Sequence, residues 1–142
     1  GLVGNISLGT TDLRDWRIFP LAIDRLVASG WPHSVCGEPA PGPSPEPQTP
    51  PPGPTFYSGT FSSPEPLDTF IWLQGWIKGQ VWMNGFNLGR YWPARGPQQT
   101  LYVPRSVLTA DRPNVVTVLE LEQAPAVPTA QLVDHVIITA QI

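Results

Sequence analysis

The chain has a single cysteine, a single methionine and few charges. One thiol, Cys36, cannot close an internal disulfide, and it excludes zinc sites built from several thiolates. Charged side chains make up 13% of the 142 residues; eight Lys and Arg against eleven Asp and Glu leave a net charge of -3. No basic run offers the positive face that a phosphate backbone needs, so nucleic acid is not an expected partner. No apolar run approaches the ~20 residues that cross a bilayer as a helix, and no membrane partner is expected. The segment Gly1 to Ile6 lacks the charged and apolar regions of a signal peptide, so a targeting sequence is expected elsewhere in a longer, soluble chain. The only two histidines, His33 and His135, lie far apart. No His-x-x-x-His or Ser-His-Asp pattern supports a metal ion or an activated nucleophile, and no cofactor is implied.

Proline is what the chain has in excess. There are 19, nine of them among the sixteen residues from Pro39 to Pro54. Gly, Ser, Thr, Glu and Gln fill most of the remainder, so the stretch has no apolar side chain larger than proline to bury and few backbone donors. A disordered, solvated polyproline-like loop is expected at about 37–54, inside a single domain spanning 1–142. Proline-rich runs also serve as ligands for aromatic-lined grooves, though a tolerated surface insertion is the simpler reading. Cys36, beside this loop, reads as a small side chain with no chemical role. A domain of this length buries roughly two thirds of its unfolded surface, enough for one core and for folding alone. The sequon Asn5-Ile6-Ser7 accepts a glycan if the chain passes through the secretory pathway.

Upstream of the proline-rich stretch, Thr11 to Pro20 mixes turn formers with a short apolar run, and Leu21 to Val27 suits a strand end or one helical turn. Downstream the signals are those of β-structure. Thr55 to Phe61 and Thr69 to Leu73 are aromatic and β-branched runs bounded by Pro, Gly, Ser or Asp. Gly79 to Met83 meets Asn84-Gly85 and continues as Phe86 to Trp92. Asn-Gly between apolar runs predicts a hairpin, because a type I′ turn needs positive φ at both central residues. Thr100 to Val103, Asn114 to Glu122 and Leu132 to Ala140 complete the set. Six or seven short strands without a long amphipathic helix predict an all-β fold, an antiparallel β-sandwich or jelly roll. In the longest strand, alternation puts Val115, Thr117, Leu119 and Leu121 on one face, expected to be core. Val116, Val118, Glu120 and Glu122 share the other, expected to be buried at its start and wet at its end.

The continuous segment Gly75-Trp76-Ile77-Lys78-Gly79-Gln80-Val81-Trp82-Met83-Asn84-Gly85-Phe86-Asn87-Leu88-Gly89-Arg90-Tyr91-Trp92 resembles the last β-domain of family 35 β-galactosidases, the lysosomal type and its paralogues. Pro93 to Gln98, Thr100 to Pro104, Asp15 to Leu21 and Asn114 to Glu122 share the likeness, which leaves out the proline-rich loop and the tail. That loop departs from the lysosomal enzyme and favours a paralogue. The resemblance implies a galactose-binding-domain-like sandwich packed on a TIM-barrel catalytic domain of the same parent chain, in a lysosomal or secreted enzyme. The acid/base and nucleophile glutamates of these retaining enzymes lie on that barrel, so no position here inherits them.

Three functional readings follow, from different classes. A hydrolase needs two carboxylates roughly 5 to 5.5 Å apart on opposite sides of the scissile bond. Glu120 and Glu122 point the same way from one strand, so they suit a solvated face better than catalysis. A galactoside-binding module needs an aromatic face with planar donors beside it. Trp92, Arg90 and Arg95, just after the hairpin, are the candidates for it. Trp16, Trp72, Trp76 and Trp82 sit in or next to strands and are expected in core or interdomain packing. Asn84 and Gly85 serve the turn, and Arg90 could anchor it through a hydrogen bond or a cation-π contact. The third reading, a structural accessory module docked on the barrel, is the one the resemblance favours.

Overall fold

The Asn84-Gly85 turn predicted from sequence sets the register of the largest sheet. The computed structural model describes residues 3–31 and 50–139. In chain order the elements are β1 (Ser7–Leu8), β2 (Thr11–Asp12), α1 (Ile23–Ala28), β3 (Thr55–Phe61), β4 (Thr69–Trp72), β5 (Gly79–Met83), β6 (Phe86–Tyr91), β7 (Thr100–Val103), β8 (Asn114–Glu120) and β9 (Gln131–Val133). Every pairing is antiparallel: a four-stranded sheet in the order β3-β8-β5-β6 faces a three-stranded sheet in the order β7-β4-β9, with β1 and β2 forming a separate small ladder. The domain is an antiparallel β-sandwich.

Asn84 and Gly85 have φ of 50° and 82°, as a type I′ turn requires. Each does more than turn the chain. The Asn84 amide donates to Val107 O at 2.7 Å and to Asn114 Oδ1 at 2.8 Å, while its Oδ1 accepts from Val115 N–H at 2.8 Å. A Cβ at Gly85 would lie 2.9 Å from Ala28 Cα, so the bare backbone lets α1 sit on the hairpin. Gly85→Ala is therefore expected to lose about 2 kcal/mol, more than positive φ alone explains. Chemical denaturation with and without a compensating Ala28→Gly change checks it, since partial rescue by the second change is expected.

The main core lies between the two sheets. Ile71, Leu73, Val81, Met83, Val103 and Val118 are buried there, with Trp76 against Tyr57 and Tyr91 in edge-on geometry. A second cluster, Val27, Trp82 and Leu119, lies on the outer face of the four-stranded sheet under α1. Asp24 clasps α1 to that face: its Oδ1 accepts from Trp82 Nε1 at 2.7 Å and from Asn87 Nδ2 at 2.8 Å. Trp76 and Trp82 are thus in core packing, Trp72 is half-buried and Trp16 is exposed.

β8 corrects the expected assignment of faces. Val118 and Glu120 point into the core between the sheets, whereas Leu119 faces α1 and Leu121 is exposed. The central strand of the larger sheet is covered on both sides, so alternation does not separate wet from dry. Glu120 is not on a solvated face; it is 0% exposed. It also ends the strand, because its Oε1 accepts from Glu122 N–H at 2.9 Å and turns the chain out of the sheet. The final strand is shorter than expected, three residues in place of 132–140, followed by an isolated bridge between Gln98 and Ile138. The segment from Leu21 resolves as one short helix. Of the proline-rich stretch, residues 32–49 lie outside the described residues, as do Cys36 and His33. Its end is tied down, with Pro50 buried and Gly53 N–H donating to Glu122 O at 2.6 Å.

Candidate functional site

A β-bulge in the hairpin places the candidate residues. Val81 pairs with Gly89 and Trp82 with Asn87, so Leu88 is skipped, and Gly89 takes the φ of 113° that this geometry needs. Asn87 Oδ1 accepts from Gly89 N–H at 2.8 Å and holds the bulge. The one-residue shift pairs Gly79 with Tyr91. Lys78 thereby comes opposite Trp92, where a regular two-residue hairpin would have put it opposite Tyr91.

Three cations surround the Trp92 indole. Lys78 Nζ lies 5.0 Å from the ring centroid, Arg90 Cζ 5.4 Å and Arg95 Cζ 5.6 Å. The sequence candidates Trp92, Arg90 and Arg95 are therefore brought together, and Lys78 joins them. Arg95 is delivered by a short 3-10 turn, Pro93–Arg95, whose N–H donates to Trp92 O at 2.9 Å. Lys78 also pairs with Glu122 at 2.9 Å. A shallow cavity of about 160 Å³ opens beside the indole, lined by Arg90, Trp92, Pro93, Arg95, Gln98 and Gln99 among others. Arg90 anchors this platform rather than the hairpin turn.

Behind the platform stands Glu120. Its carboxylate accepts from Ile77 N–H at 2.8 Å, Lys78 N–H at 3.2 Å and the Tyr91 hydroxyl at 3.1 Å. The Tyr91 hydroxyl also reaches Leu119 O at 3.1 Å, crossing β5 to do so. Burial and then the Glu120 charge push the Tyr91 phenol far above its ordinary range, and the same two causes raise Tyr57. The fold therefore holds the neutral phenols, and the unfolded chain releases those protons first. Stability should be intact below the ordinary tyrosine value of about 10 and fall as pH rises above it. Denaturation midpoints from pH 8 upward test this, and Tyr91→Phe is expected to make the alkaline fall shallower.

The other predicted residues are not brought to this place. His135 Nδ1 lies 2.6 Å from Asp134 Oδ1 on the exposed far end, and that hydrogen bond holds the Asp134 carboxyl below the usual range. Asn5 is exposed just before β1. A larger cleft, about 420 Å³, opens at the edge where β3 meets the 128–132 segment. Its walls are mainly apolar, with Tyr57, Phe61, Ile71, Met83 and Val116 among them, and Trp76 Nε1 is already committed to Thr129 O at 2.8 Å. The planar guanidinium donors of Arg90 and Arg95 are at Trp92 instead.

Sequence reasoning missed Lys78, Glu120 and Glu122 as parts of the platform. The signal for Lys78 was the hairpin register with a bulge at Gly89, which the motif Asn87-Leu88-Gly89 carries. Nothing in the alternation marked Glu120 as buried.

Comparison with known proteins agrees with this architecture. Residues 54–114 match the family model of the β-galactosidase galactose-binding domain. The chain is 51% identical over 135 residues to β-galactosidase of Homo sapiens, covering 88% of this chain and 20% of that protein. It is 46% identical to β-galactosidase of Felis catus, covering 99% of this chain and 23% of that protein. It is also 46% identical to the β-galactosidase-1-like protein of Mus musculus, over 100% of this chain and 21% of that protein. The chain spans about a fifth of the length of these relatives. It belongs to the β-galactosidase family, of which it represents the galactose-binding β-domain.

Proposed function

We propose that this chain is a non-catalytic accessory module that docks on the catalytic domain of a longer β-galactosidase-type glycosidase. One observation carries the reading. Trp16, Ile18, Phe19 and Leu21 are 56%, 86%, 80% and 81% exposed within a run of six residues. Large apolar side chains scattered singly are ordinary on a protein surface, but four within six consecutive residues have the character of an interface core. The parent chain, about five times longer in the relatives, supplies the occupant. The enclosure of Glu120 supports a module without chemistry of its own, since a carboxylate with no exposed surface does not meet a substrate. The parent's reaction, in this reading, is removal of terminal β-linked galactose by double displacement on the absent barrel, in a lysosomal or secreted protein.

Paired substitutions Ile18→Ser and Phe19→Ser in the full-length parent test the docking. They are expected to raise the rate of limited proteolysis around this domain at least tenfold, about 1.4 kcal/mol of lost contact. In the 142-residue chain alone the same pair should leave the melting temperature within about 2 °C, because among the described residues both side chains are largely exposed. An unchanged parent would remove the basis for docking through this segment.

A second reading, a galactoside-binding surface at Trp92, is favoured by the convergence of Arg90 and Arg95 on that indole beside a cavity.

A further inference from the structure

The Trp92 platform gathers cations in a chain that is acidic as a whole. Three cations gather at one indole while the chain as a whole carries a net charge of -3. Only Lys78 has a carboxylate partner, Glu122; among the described residues neither Arg90 nor Arg95 has an acidic group within 4.0 Å. Like charges held together repel, and an oxyanion between them relieves that repulsion.

The geometry also says which donors remain. A guanidinium packed on an aromatic ring spends its face and keeps its edge N–H groups, arranged as the planar fork that matches a carboxylate. The indole is meanwhile occupied by cations, so a neutral sugar that relied on stacking would have to displace one of them. Gln99 adds no free donor, since its amide nitrogen already faces Pro93 O, Gly96 O and the Thr139 hydroxyl. Gln98 is similarly used, donating to Thr100 O at 2.6 Å. The charged donors beside the cavity that no carboxylate holds are those of Arg90 and Arg95.

We infer that the Trp92 platform binds an acidic saccharide, a galactoside bearing a carboxylate or similar oxyanion, with Arg90 and Arg95 clamping the anion and the cavity beside Trp92 receiving the ring. This rests on the galactoside reading of the same surface and narrows it from neutral to anionic ligands. Lys78, whose charge is offset by Glu122, is not part of the clamp.

The test is a titration of the 142-residue chain with galacturonate, galactose and acetate at matched ionic strength, following the indole N–H signal of Trp92. Galacturonate should give a saturating shift with a Kd at least tenfold below that of galactose, weakening as salt rises from about 50 to about 250 mM. Arg90→Gln and Arg95→Gln should each raise that Kd about tenfold, with the Val81 and Val118 amide signals in place as evidence of an intact sandwich. Equal affinity for galactose and galacturonate, untouched by either substitution, would overturn the anionic inference and leave the galactoside reading standing. Acetate binding as tightly as galacturonate would overturn the saccharide part. If no ligand moves Trp92, both readings fall.

Discussion

Gly79→Ala is expected to destabilise the sandwich by about 4 kcal/mol or more, among the larger effects of any single methyl group. A Cβ there would lie 1.7 Å from the Leu119 carbonyl oxygen, 2.8 Å from its carbon and 2.6 Å from the Tyr91 hydroxyl. The first two are backbone atoms of the central strand β8 and cannot rotate aside. The cause is position: Gly79 on β5 lies between Tyr91 on β6 and Glu120 on β8, paired with both. The Tyr91 hydroxyl crosses over β5 at this residue to reach Leu119 O and Glu120, and only a residue without a side chain leaves the passage open. Gly59→Ala on β3 is the control, since its Cβ would meet only Val116 Cγ1 at an ordinary 3.8 Å. Urea midpoints should separate the two variants clearly. Similar midpoints would mean that the Tyr91 crossing does not constrain the sheet.

Glu120→Gln should cost about 3 kcal/mol, although it changes neither size nor shape. The two carboxylate oxygens accept from Ile77, Lys78 and Glu122 N–H groups and from the Tyr91 hydroxyl. An amide presents one oxygen and one donor group. Whichever way it turns, its NH2 faces either Ile77 N–H or Glu122 N–H, and a buried donor is left facing a donor. For a domain of this size the change corresponds to a fall of roughly 10 °C in melting temperature. The loss should also reach the surface, because Glu120 pins the backbone of Lys78 and the hydroxyl of Tyr91, the residue before Trp92. The indole signal of Trp92 is expected to move in Glu120→Gln even though the two side chains do not touch. A melting temperature within about 1 °C of the parent chain would show that the carboxylate is not needed as a multiple acceptor.

These two residues mark where the sequence stopped being legible. Local signals read well: β3 and β7 have the bounds expected from their aromatic and β-branched runs, and Asn84-Gly85 makes the hairpin that its chemistry demands. Trp92, Arg90 and Arg95, named from the stretch just after that hairpin, do come together in the fold. What failed was the sorting of β8 into core and solvent faces. Alternation identifies faces only when one of them is wet, and in β8 one face meets the opposite sheet while the other meets α1. A charged residue on such a strand reads as solvated, yet Glu120 is enclosed because a turn of the chain brings backbone donors to it. That turn lies 42 or more residues away in sequence, beyond any periodicity. Lys78 was missed for a related reason. Its place opposite Trp92 follows from one skipped residue in the hairpin, and a register shift of one exchanges every neighbour.

The Trp16 to Leu21 segment is the part of the chain least explained by the sandwich itself. Four of its six side chains are large, apolar and exposed, and the docking account assigns them to the rest of the parent chain. Hydroxyl-radical footprinting of Trp16 and Phe19, read by mass spectrometry in the full-length parent and in the 142-residue chain, addresses this directly. The account predicts at least tenfold slower labelling of both residues in the parent, as interface burial requires. Equal labelling in the two would contradict docking through this face.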